Sequence, residues 1–103
     1  MKPEAKNAAL RVAIRSTEDE DTWILQGRLA GQAVSELTTA WKKQRGERNG
    51  RKTVVDLVDL TFVDERGESA LMEMMVEGAK FVVRGLYTRT LVEILKERRK
   101  LGA

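Results

Sequence analysis

The chain contains no cysteine and no histidine. Their absence removes disulfides, thiolate zinc sites, thiol nucleophiles and imidazole acid–base chemistry together, and with them most familiar catalytic constellations. Aromatic residues make up only 5% of the sequence, so stacking platforms for bases are scarce. The single proline stands at position 3, in a stretch of little pattern, and residues 1 to 8 read as a flexible tail ahead of one domain over 9 to 103. No apolar run approaches the roughly 20 residues of a membrane-spanning helix, and MKPEAKNAAL lacks the apolar centre of a signal peptide. A cytoplasmic chain without membrane insertion is therefore expected. Neither sign of charge dominates: 34% of residues are charged, yet the net charge is only +3.

What is present is patterned. With 103 residues, 42% of them hydrophobic, the chain can build one modest core. Leu10, Val12 and Ile14 alternate with Arg11, Ala13 and Arg15, which predicts a half-exposed first strand. The acidic run Ser16 to Asp21 (STEDED) reads as a hairpin turn into a second strand over Thr22 to Leu29, where Trp23, Leu25, Gly27 and Leu29 share a face. Val34, Leu37, Ala40 and Trp41 recur at helical spacing and mark a first helix ending near Arg45 or Gly46. After the loop GERNGR, Val54, Val55, Leu57 and Val58 form an apolar run that reads as a strand covered on both faces. Ala70, Leu71, Met74, Met75 and Gly78 then trace a second helix, Lys80 to Arg84 a short strand, and Tyr87, Leu91, Ile94, Leu95 and Arg98 a third helix. The order β-β-α-β-α-β-α implies an α/β fold with a mixed sheet of about four strands and right-handed crossovers.

Function concentrates at the strand-to-helix junction. Asp64 stands where a helix N-cap belongs, followed by Glu65, Arg66 and Gly67, and acidic groups there typically contribute about 0.3 to 1 kcal/mol each by satisfying amides and opposing the helix dipole. Capping alone is a sufficient account of the turn taken by itself. Asp56, Asp59, Asp64 and Glu65 are four carboxylates within ten positions, but they fall on strand, connection and cap, so no metal site is assigned. They loosely evoke a phosphoaspartate receiver, whose acidic pair after the first strand is missing. Lys42, Lys43, Arg45, Arg48, Arg51 and Lys52 form a basic cluster that could hold phosphates or nucleic acid. The low aromatic content and the lack of a recognition motif favour a solvated face or a rim for an acidic partner. GERNGRKT precedes a strand and has the wrong glycine spacing for a P-loop. Met74 and Met75 point to the core, whereas Met72 and Val76 fall off the core stripe and leave part of the second helix as an adaptable contact surface, or as a stray exposure beside ordinary packing.

Three segments in order, WILQGRLAG, VVDLVDLTFVDERG and GAKFVVRG, resemble the STAS domain, the SpoIIAA-like fold of anti-sigma factor antagonists and of the cytosolic tails of sulfate transporters. The likeness spans roughly Leu10 to Arg98. In the phosphorylated antagonists the turn is similar to Asp, any residue, Ser, Gly; Asp64 and Gly67 match, and Arg66 occupies the serine position. The sequence stops where the family often adds a strand and a helix. The resemblance implies a non-enzymatic interaction module, with an anti-sigma factor or kinase-like regulator as partner. Its implied docking face comprises Asp64, Glu65, Arg66, Gly67, Ser69 and Met72, and no phosphorylation is expected at the usual position. Ser69 is a relocated acceptor only as a lesser alternative. A nucleic-acid or phosphate-binding protein using the Lys42 to Lys52 cluster, and a homodimeric or transport-assembly subunit, are the other classes kept open. No cofactor is implied.

Overall fold

The computed structural model describes residues 10–45 and 50–102, without the side chain of Arg45; the tail expected over residues 1 to 8 lies outside them. β1 (Leu10–Ser16) and β2 (Glu20–Leu29) form an antiparallel hairpin in which Leu10 pairs with Gly27 and Ser16 with Asp21. Along β2 the residues Trp23, Leu25 and Leu29 are buried, as their alternation predicts. α1 (Gln32–Arg45) returns the chain to β3 (Lys52–Asp56), which runs parallel to the first half of β2. β4 (Leu60–Val63), α2 (Glu65–Val76), β5 (Lys80–Val82) and α3 (Gly85–Gly102) follow, with β5 parallel to β3.

The sheet order is β1-β2-β3-β5, with β4 beside β2. The order of elements is the one read from the sequence with one short strand added, since Leu60–Val63 pairs in parallel with Gly27–Leu29 of β2. The strand forms because β3 is stopped first. The Asp56 carboxylate accepts the Val58 N–H at 2.9 Å and the Leu57 carbonyl accepts the Leu60 N–H at 3.0 Å, a turn that lets the chain resume against the far half of β2.

The helices occupy one face of the sheet. Passing from β2 to β3 and from β3 to β5 moves the same way across the sheet, so two right-handed crossovers place α1 and α2 on the same side. Accordingly Val55 and Leu57 are buried, while Val54 and Val58 are only half-buried. The expectation of a strand covered on both faces is corrected here: neighbouring side chains partly shield the second face, and no described helix covers it. That open face carries Ile24, Val54 and Val82, and Arg28, whose guanidinium lies 4.4 Å from the Phe62 ring centroid.

Under the helices Trp23 and Trp41 meet edge to face, with centroids 5.3 Å apart at 66°. Such pairs add about 0.5–1.5 kcal/mol beyond their area burial. The Trp41 indole N–H donates to Glu77 Oε1 at 2.9 Å, tying the end of α1 to the end of α2. In α3 the buried stripe is Thr88, Leu91, Val92 and Leu95. Ile94 and Tyr87, expected on that stripe, are exposed, because the helix is rotated so that Thr88 and Val92 face inward.

Candidate functional site

The junction of β4 and α2 is built by two residues and presented by others. Asp64 is the N-cap of α2: one carboxylate oxygen accepts the Gly67 N–H at 2.8 Å. The other accepts the Gly31 N–H at 3.0 Å, across 33 positions of sequence, where Gly31 takes a positive φ of 60° between β2 and α1. The Asp64 N–H in turn donates to the Leu29 carbonyl at 3.2 Å. One side chain thus staples the start of α2 to the loop before α1. The Gly31 amide first, then the Gly67 amide and the Arg66 guanidinium, hold the Asp64 carboxyl below the usual carboxylate range, against a smaller opposing effect of its partial burial.

Gly67 is buried for a steric reason. A Cβ there would lie 2.5 Å from the Leu29 carbonyl oxygen and 2.8 Å from Val63 Cγ1, so only glycine lets the first turn of α2 sit on the end of β2. Tyr87 supports the same corner from α3, its hydroxyl accepting the Val63 N–H at 2.9 Å.

Glu65, Arg66 and Ser69 are exposed, and helical spacing places Glu65, Ser69, Met72 and Val76 along the ridge of α2 opposite its buried residues. Met72 is half-buried and packs against the core edge, while Val76 remains 56% exposed. Arg66 leans toward α1, its guanidinium 3.5 Å from the Ser35 hydroxyl. It lies in a shallow groove of about 240 Å³ between the two helices, lined also by Val34, Thr38, Ser69 and Glu73. A cation in a first helical turn is repelled by the positive end of the helix dipole, and here the carboxylates of Asp64 and Glu65 flank and offset it. Val76, read from the sequence as off the core stripe, is exposed on this surface, and Ser35 and Thr38 of α1, which the sequence does not mark, line the groove beside it.

The four carboxylates of this stretch do not converge. Asp56 closes its own turn, Asp59 lies 3.4 Å from the Gln26 amide, Asp64 is the cap and Glu65 faces solvent. Among the described residues no three His, Cys, Asp or Glu side chains gather as a metal site would require.

The basic cluster also separates. Arg51 donates to the carbonyls of Thr17, Glu18 and Glu20 and to the Asp21 carboxylate at 2.6 Å, pinning the acidic hairpin turn. Arg48 and the Arg45 side chain lie outside the described residues. Lys42, Lys43 and Lys52 remain exposed. Nothing in this arrangement favours the nucleic-acid reading.

A mixed sheet opened by a hairpin, with one-sided crossovers and a capped turn between β4 and α2, is the SpoIIAA-like fold, the architecture of STAS domains. The chain is similar to the STAS domain of an anti-sigma-factor antagonist from Rhodobacter sphaeroides, at 21% identity and a TM-score of 0.57, covering 77% of this chain and 89% of that one. It is also similar to a Shewanella loihica protein with a SpoIIAA-like fold, at 8% identity and a TM-score of 0.55, covering 84% and 75%. No protein-family model and no curated protein sequence matches the chain. No described helix is long and apolar enough to cross a membrane.

Proposed function

We propose that this protein is a non-enzymatic interaction module of the STAS type. On this reading it acts as an anti-sigma factor antagonist-like regulator, docking a kinase-like or anti-sigma partner through the ridge of α2 and the turn before it. The observation that carries the reading is the division of labour at the junction. Asp64 and Gly67 are engaged in building the turn, while Glu65, Arg66, Ser69, Met72 and Val76 form one continuous outward surface of charge flanked by apolar groups. The fold shared with an anti-sigma-factor antagonist supports it. A transient interface of this kind buries on the order of 1,200 to 2,000 Å² in total.

Arg66 sets the mode of control. A phosphoserine adds about −1.5 to −2 charges and blocks docking by repulsion and desolvation. Arginine accepts no phosphate and places a fixed cation there, so the contact is not switched at that position. Incubation with the partner kinase and ATP leaves the chain unmodified on this account; a phosphopeptide within Arg66 to Met72 in mass spectrometry overturns that part. Titration against the anti-sigma kinase encoded nearest its gene tests the rest: Arg66→Glu weakens binding at least about tenfold if this is the face. Unchanged affinity rejects it.

A further inference from the structure

Strand pairing lays two transverse rows of side chains across the open face of the sheet. In one row Arg15 of β1 stands beside Thr22, then Val54, then Lys80 of β5; in the next Ala13 stands beside Ile24, then Asp56, then Val82. The first row therefore ends in a cation on each outermost strand. Farther along β2, Gln26 pairs with Arg11 and Arg28 with Phe62. Arg11, Arg15, Arg28 and Lys80 are all exposed, and none of them is ion-paired among the described residues. Ile24 and Val54 lie half-buried between them, and Val82 and Phe62 remain 42% and 39% exposed. Carboxylates are present too: Asp56, one oxygen of which accepts the Val58 N–H, Glu20, beside the exposed Lys52 in the ladder, and Asp59, which accepts the Gln26 amide at the margin.

Part of this pattern has a plain structural explanation. Charged side chains on outer strands protect them from stray pairing, and single exposed apolar residues are ordinary on any surface. Neither accounts for the middle of the face. β3 and β4 run parallel to β2 and β5 parallel to β3, and parallel strands are typically covered on both faces, yet here Ile24 and Val54 form an uncovered apolar floor. The cations of β1 and β5 stand about 14 Å apart across it, three strand spacings, which matches the roughly 10–12 Å width of a helix with its side chains. We propose that this face receives an acidic amphipathic helix of a partner protein, laid along β2 and β3. The apolar stripe of that helix covers Ile24, Val54 and Val82, its carboxylates meet Arg11 and Arg15 on one flank and Lys80 on the other, and a hydroxyl or amide within the stripe donates to the second oxygen of Asp56. A recessed apolar floor between long cationic side chains suits a convex helix better than a flat bilayer, and one phenylalanine among several carboxylates suits nucleic acid poorly. This face lies across the sheet from α2 and does not depend on the role of its ridge.

The test is an amide NMR titration of the isotope-labelled full chain with a synthetic helix carrying leucines on one face and glutamates along both flanks. About 14 residues of helix cover the roughly 20 Å of strand from Thr22 to Arg28. Saturable shifts at Ile24, Val54 and Val82 are expected, with none along the ridge from Glu65 to Val76. The Arg15→Glu, Lys80→Glu double variant, altered only at exposed positions, keeps the native spectrum and binds roughly tenfold more weakly, and a lysine-flanked helix binds it better than it binds the parent. In the parent protein itself, raising salt from about 0.05 to 0.3 M weakens the glutamate helix several-fold. A peptide of the same composition with its leucines scattered around the helix loses binding. The proposal is overturned by no saturable response on this face, by equal affinity for the lysine-flanked helix, by affinity independent of salt, or by full affinity in the double variant. It is equally overturned if oligothymidylate or phosphatidylserine vesicles displace the helix from these residues at lower concentration.

Discussion

Two turns at opposite ends of β2 use charge in mirror-image ways. At one end the Asp64 carboxylate collects backbone N–H groups from Gly31 and Gly67; at the other the Arg51 guanidinium collects backbone carbonyls from Thr17, Glu18 and Glu20. Both are the charged residues that stand out most in their stretches of sequence, and both are structural. They differ in what they leave beside them. Around Asp64 the remaining charges sit on a helical ridge with Met72 and Val76, a surface with apolar content. Around Arg51 the described neighbours are mostly charged groups and turn backbone, and the cleft beside it holds a single half-buried apolar side chain, Val54. The comparison separates a strut that serves a surface from a strut that serves only the fold.

Substitutions can break that comparison, beginning with the largest expected effect. Gly67→Ala forces a Cβ onto the Leu29 carbonyl and Val63 and costs about 2–3 kcal/mol in chemical denaturation. Asp64→Ala comes next, through loss of the cap and of the link to Gly31, and its effect depends on pH in a defined direction. The carboxyl is held below its ordinary value in the folded state, so the unfolded chain binds the proton first as pH falls. Its contribution is complete above about pH 4 and is lost as pH falls through the lower folded value. Denaturation midpoints of the parent and Asp64→Ala proteins should therefore differ at neutral pH and converge in acid; a constant gap contradicts the assignment. Arg51→Met costs about 1–2 kcal/mol, because it takes the guanidinium from the buried Asp21 carboxylate while water replaces part of what it supplies to the turn carbonyls, and it leaves partner binding intact. Arg66→Glu changes stability by less than about 0.5 kcal/mol, yet should abolish the advantage of the α2 surface in binding.

The pattern of residues revealed what depends on neighbours close in sequence. The alternation of Trp23 and Leu25, the stripe of Val34, Leu37 and Trp41, and Asp64 as a cap all follow from local periodicity or position, and each is found in place. What was not legible depends on partners far along the chain. β4 is four residues long and owes its existence to Gly27–Leu29, across a register shift at Gly27 and Arg28. The second oxygen of Asp64 finds Gly31, and Gly67 is required by Leu29 rather than by its own turn. The Val54 to Val58 run suggested two covered faces because β-branched residues mark half-shielded and fully buried positions alike. The basic cluster looked continuous because spacing does not show that Arg51 turns away toward the hairpin.

The central claim is that Asp64 and Gly67 hold the junction while the α2 ridge makes the contact. It is tested most directly by measuring denaturation and partner affinity together for Arg66→Glu, with Arg51→Met as the control. The account predicts a protein as stable as the parent that has lost at least about tenfold in affinity, beside a less stable control that binds normally. Normal binding by Arg66→Glu, or loss of binding in the folded control, would contradict it.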